Sequence, residues 1–144
     1  MQAFKILGGR KLKGEVKPQG AKNEALQIIC ATLLTSEEVI INNIPNIIDI
    51  NKLISLLKSL GVKVNKLDSN KYSFKADNVD LDYLSSDQFK TDGKSLRGSI
   101  MIVGPLLARF GKAFIPRPGG DKIGRRRLDT HFEGLIKLGA KFSY

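Results

Sequence analysis

The sequence predicts an α/β fold built from repeated helix–strand units. Apolar residues at helical spacing alternate with short β-branched runs, in the order helix, strand, helix, strand pair. The order then recurs, with matching peptides: KSLGVKV at 58–64 answers IKLGAKF at 136–142, and ATLL at 31–34 answers GPLL at 104–107. A period of about 75 residues exceeds that of solenoid arrays, so a few large units packed around shared helices are expected.

The chain opens with AFKILGG, a short strand signal, and KLKGEVKPQG, which carries little apolar content. AKNEALQIICATLLTS has Ala25, Leu26, Ile29 and Leu33 on helical spacing and predicts the first long helix. VIINNIP reads as a strand ended by turn residues. DINKLISLLKSLG reads as an amphipathic helix with Ile50, Leu53, Ile54, Leu57 and Leu60 on one face and Gly61 as its stop. VKVNKL and YSFKA, joined by DSNK, read as a hairpin. In the second unit SLRGSIMIVGPLLARFG is helix-like, kinked at Pro105 or starting later. KAFIPRPGG follows as strand and turn, LDTHFEGLIKLG as a helix ending in glycine, and AKFSY as the start of a strand. The units span about 21–80 and 90–144, and the second lacks its hairpin partner, so the sequence is expected to be the front part of a longer protein.

The formal net charge is +10, and its distribution carries more information than its total. From Arg109 to Arg127 there are seven basic residues and one acid, Asp121, a net +6 within nineteen residues. A field that concentrated attracts anions such as phosphates, sugar nucleotides, nucleic acid or a lipid surface. Cys30 is the single cysteine and His131 the single histidine, which excludes an intramolecular disulfide and a Cys/His zinc cluster. Cys30 lies in the apolar run LQIICATLL and reads as an inert core residue. The N-terminus lacks a signal-peptide pattern and the apolar stretches reach about nine residues, far short of a membrane span, so a soluble cytoplasmic protein is expected.

Three places offer chemistry. In QGAKNEAL, Gly20 permits an unusual backbone before a helix start. There Lys22 and the first-turn amides would favour an anion; the plain alternative is a solvated Lys22 with Asn23 as a cap. Arg97 in KSLRGSI holds the corresponding position of the second unit, or is an exposed first-turn arginine. RPGGDKIGRRRLD is the strongest candidate. Its arginines grip phosphate or carboxylate oxygens bidentately, and Gly119 and Gly120 let a ligand approach the backbone. Asp121 reads either as a salt-bridge partner or as a general acid. The surrounding cations oppose the second role by lowering its pKa, and a bound anion would offset them. In LDTH, Asp129 reads as an N-cap and His131 as a helix-surface residue. A nucleic-acid role draws on the charge, but no aromatic interleaves with the RRR run as a stacking platform would.

GAKNEAL, KSLRGSI, PGGDKIGRR and LDTHFEGLIKLGAK, in this order and together with KILGGRKLKGEV, resemble the enolpyruvyl transferases that act on UDP-N-acetylglucosamine. The resemblance runs along all 144 residues. The enolpyruvylshikimate phosphate synthases, which take 3-phosphoshikimate, are the nearest alternative; a non-enzymatic basic module binding nucleic acid or phosphates is the other. The resemblance implies an inverse α/β barrel of six units. Residues 1–20 would then belong to the other domain, and 21–144 would form nearly two units of one domain. It implies phosphoenolpyruvate and UDP-N-acetylglucosamine as substrates, with no cofactor, metal, nucleic acid or membrane.

Lys22 and Asn23 look like the phosphoenolpyruvate-contacting pair. Arg97 looks like a sugar-nucleotide ligand, and Arg126, Arg127, Leu128, Asp129 and Thr130 like the uridine side. Asp121 falls where many relatives carry a cysteine that protonates the methylene carbon and others carry aspartate, which favours the general acid. Arg127 departs from a position commonly proline. The base for the sugar hydroxyl lies, in this family, outside the 144 residues, so the chain alone is expected to be inactive.

Overall fold

A computed structural model of the chain describes residues 3–114 and 127–143. Its sheet is antiparallel, with β1 (Glu38–Ile41), β2 (Lys63–Asp68) and β3 (Lys71–Lys75) in the order β1-β3-β2. The expected hairpin forms, with Val64 opposite Phe74 and an irregularity between Lys66 and Asp68 beside the turn. Central β3 also receives β1, whose Val39 pairs with Phe74, and Phe74 is fully buried between its neighbours and the helices.

Helices α1 (Lys22–Ala31) and α2 (Ile48–Ser59) supply a large part of the core, with Ile29, Ile50, Leu53 and Leu57 at its centre. Each such side chain contributes about 1.5–3 kcal/mol on burial. Cys30 joins them at 1% exposure. Gly61 ends α2 at φ +89°, a left-handed conformation that a side chain would strain. A side chain there would also meet the Asn78 carbonyl.

The second half departs from the expectation in its details. Helix α3 (Asp87–Lys94) was not foreseen; its apolar content is only Phe89, and Ser86 caps it by accepting from the Phe89 N–H at 3.0 Å. SLRGSIMIVGPLLARFG divides into a 3-10 stretch, Arg97–Ile102, and α4 (Val103–Phe110). Pro105 is thus the third residue of α4, in the first turn where its missing N–H costs nothing. LDTHFEGLIKLG forms α5 (Asp129–Lys137), followed by Gly139 at φ +95°. AFKILGG and residues 140–143 take no strand assignment, and neither do 112–114. The strand expected in each of these places lacks a hydrogen-bonding neighbour within the described residues, and Phe4, Ile6 and Leu7 stand almost fully exposed. The rest of KAFIPRPGG lies outside the described residues. No described helix is long and apolar enough to cross a membrane.

Arg109 corrects the charge reading. It was counted among the cations that attract anions, yet its Nη1 donates to the carbonyls of Leu33 (3.0 Å), Thr35 (2.9 Å) and Ala76 (2.8 Å). It ties α4 to the end of the α1 segment and the exit of β3, leaving the anion field to the other cations.

Candidate functional site

The start of α1 is positioned by a close approach. Gly20 does not take a left-handed backbone, contrary to the reading of QGAK; its φ is negative. Its lack of a side chain matters because a Cβ there would run into the Asn43 carbonyl, and Asn43 itself holds φ +59°. The glycine therefore lets the segment before α1 lie against the turn after β1. The intrahelical ladder of α1 begins with Ala25 N–H donating to Ala21 O at 3.0 Å, which makes Ala21 the cap and Lys22 and Asn23 the first two helical residues. Asn23 is thus not the cap. No side chain caps this terminus, so the amides of Lys22, Asn23 and Glu24 lie ahead of the ladder's first bond.

Arg97 reaches the same region because the 3-10 stretch packs on α1. Gly98 allows it: a Cβ there would press on Leu26 Cδ1 at 3.2 Å. Ser99 fixes the turn from beneath, its hydroxyl donating to Leu96 O (2.7 Å) and Gly93 O (3.0 Å). Lys52 Nζ holds the Ser95 carbonyl at 3.3 Å from the α2 side.

These elements enclose a cavity of about 480 Å³, a size within the range of small-molecule sites. Lys22, Asn23, Arg97, Arg127 and Leu128 all line it. Five residues singled out from three separate sequence stretches thus share one wall. Asp129 and Thr130 stand outside that lining, and Thr130 is exposed. Asp129 is ion-paired with Arg127 and is not an N-cap: Leu128 O already accepts from Phe132 N–H (3.2 Å), which makes Leu128 the cap. His131 is exposed and lines the cavity rim. Asp121 and Arg126 lie outside the described residues.

Asp49 and Lys52 were missed. They lie on α2, one turn apart, and both line the cavity. Asp49 forms an ion pair with Lys22. The helical pattern of α2 marked its buried face, and nothing in it marked the polar flank that meets α1. Among the described residues, the lining holds four cations (Lys22, Lys52, Arg97 and Arg127) against the single acid Asp49. With α1's first-turn amides beside it, the cavity suits an anion carrying several oxygens.

Comparison with known proteins decides the family. The family described as EPSP synthase (3-phosphoshikimate 1-carboxyvinyltransferase) matches residues 6–144. The chain belongs to the EPSP synthase family. Within reach of that family, UDP-N-acetylglucosamine 1-carboxyvinyltransferase of Bacteroides thetaiotaomicron is 64% identical over 144 residues, covering 100% of this chain and 33% of the relative. Proteins of the same name from Porphyromonas gingivalis and Borreliella burgdorferi are 58% and 44% identical, covering 100% and 99% of this chain and 33% and 32% of theirs. The chain thus spans about a third of the length of these curated relatives. Its mixed helix–sheet architecture agrees with an α/β member of the EPSP synthase family.

Proposed function

We infer that the cavity is part of an enolpyruvyl transferase site, taking phosphoenolpyruvate and UDP-N-acetylglucosamine, and that the chain contributes to peptidoglycan synthesis. The observation that carries this is the convergence of Lys22, Asn23, Arg97, Arg127 and Leu128 on one cation-rich cavity, in a chain 64% identical to proteins named for that reaction. The reading includes an inverse α/β barrel of six units. Residues 1–20 would serve the other domain, and the units would run about 21–80 and 90–144.

In the reaction the sugar 3′-hydroxyl adds to C2 of phosphoenolpyruvate while a proton is delivered to C3. Elimination then releases phosphate, the C3 methyl group losing a proton as the double bond reforms. Lys22 and Asn23 take the phosphoenolpyruvate side. Arg97, Arg126, Arg127, Leu128, Asp129 and Thr130 take the sugar nucleotide, and Asp121 donates the proton. The cations neutralise two anionic substrates and stabilise charge as it develops. The phosphate dianion offsets the positive field that would otherwise keep Asp121 ionised. The base for the hydroxyl comes from outside residues 1–144, so this chain alone is expected to be inactive.

A residue-resolved NMR titration at near-physiological salt tests the reading, with UDP-N-acetylglucosamine, 3-phosphoshikimate and a short duplex oligonucleotide in separate arms. Shifts at Lys22, Asn23, Arg97 and 127–130 with the sugar nucleotide are the expected result. The same shifts with 3-phosphoshikimate alone would move the assignment to the substrate printed in the family description. Oligonucleotide shifts without sugar-nucleotide shifts would replace the enzyme reading by a basic binding module.

The epoxide fosfomycin supplies a second test. It alkylates the cysteine that many relatives carry at the position of Asp121. Here the one thiol is Cys30, at 1% exposure, and a carboxylate is a weak nucleophile towards an epoxide. The expected outcome is an unchanged intact mass after incubation; an adduct mapped to Asp121 would contradict it.

A further inference from the structure

We propose that Lys52 is a phosphate-binding residue of the cavity, contacting a phosphate oxygen of one of the two anionic substrates. The proposal rests on the reading of the cavity as an enolpyruvyl transferase site. Lys52 projects from α2 into the same cavity as Lys22 and Arg97, which come from two other elements. Its ammonium is held at one point, by the Ser95 carbonyl at 3.3 Å. That bond uses one of three N–H donors and is longer than a strong charge-assisted contact. It places the charge two residues from Arg97 on the cavity side, so an anion held by Arg97 lies beside an ammonium with donors still to give.

The environment separates Lys52 from two other cations of the lining. Lys22 is engaged with Asp49, and Arg127 with Asp129. Lys52 faces a neutral carbonyl, so an incoming phosphate takes its charge without first breaking an ion pair. A purely structural role is the competing account: Ser95 is the C-cap of α3, and a cation there complements the helix dipole. That role needs only positive charge near the helix end and predicts no change in ligand affinity.

The test is calorimetric titration of the intact chain with UDP-N-acetylglucosamine and, in a separate arm, with phosphoenolpyruvate. Wild type is compared with Lys52→Gln, Lys52→Arg and Lys58→Gln. Lys58 lies in the last turn of α2, outside the cavity lining, and its variant makes the same change of charge on the same helix. Loss of one charge-assisted contact predicts binding weakened about 10- to 50-fold in Lys52→Gln in at least one arm. Partial recovery is expected in Lys52→Arg and no change in Lys58→Gln. The arm that weakens names the substrate whose phosphate is held. Wild-type binding with equal affinities in Lys52→Gln in both arms overturns the proposal and leaves the reading of the cavity standing. Equal weakening in Lys58→Gln also overturns it, because the effect is then one of net charge. Wild type binding neither ligand overturns the reading itself, and the role of Lys52 with it.

Discussion

Replacing Arg109 by alanine lowers the unfolding free energy of this chain by about 4 kcal/mol, as a shift in denaturant midpoint without a change in slope. One guanidinium nitrogen closes three backbone carbonyls, Leu33 O, Thr35 O and Ala76 O, all within 3.0 Å. Their peptides come from the end of the α1 segment, the turn before β1 and the exit of β3. Removing the donor leaves these acceptors without it where water enters poorly, and each contact to a charged group is worth about 1.5–3 kcal/mol. The alkyl stem packing is lost as well, and so is the guanidinium's stacking on the Phe110 ring at 4.8 Å. Arg109→Lys recovers less than half of the loss, because the shorter lysine stem sets its ammonium back from the position of Nη1 and gives up the guanidinium stacking on Phe110. A loss below about 1 kcal/mol in the alanine variant would show that water satisfies these carbonyls. The effect extends to the site, since α4 continues directly from the 3-10 stretch that carries Arg97. Loosening the far end of that element weakens anion binding as well as stability.

Arg109 also shows where sequence reading stops. Its position in a basic stretch suggested a role towards anions, and only the tertiary arrangement shows the three carbonyls that claim it. The hairpin, α1, α2 and α5 were legible because each buries or caps through a local pattern: alternation around DSNK, helical spacing ending at Gly61 and Gly139. Helix α3 was not legible, because one buried aromatic, Phe89, gives no periodicity. The expected strands in AFKILGG and at 140–143 have the right residues, and they lack strand neighbours within the described residues; a strand is a property of a pair of segments. In the candidate site, Lys22, Asn23, Arg97 and Arg127 were legible from glycine-flanked basic motifs, and Leu128 only from the family resemblance. Asp49 and Lys52 were not, since a charged residue on the polar flank of an amphipathic helix looks the same whether it meets solvent or a cavity. Gly20 was right in position and wrong in reason: it answers a close approach by Asn43, and not a left-handed φ.

Cys30 makes the chain's stability fall in alkali in a way that one substitution removes. Burial pushes its thiol from the ordinary 9.0 up to about 12. The unfolded chain ionises the thiol first, so the stabilisation is intact below pH 9 and is lost as pH rises through the folded value near 12. Between those limits the Cys30 contribution declines by about 1.4 kcal/mol per pH unit. Cys30→Ala lacks this dependence. It loses the packing of a fully buried sulfur, about 1–2 kcal/mol at neutral pH, so wild type leads at pH 7 and the two stabilities cross near pH 10. Other lysines and tyrosines titrate in both proteins and cancel in the difference. Parallel stability curves from pH 8 to 11 would show that the thiol reaches solvent in the native state. The same burial governs reactivity. A thiol this far from its thiolate form does not attack an electrophile, so thiol reagents should label Cys30 only at the rate of unfolding. The single cysteine of the sequence is thus sealed in the core.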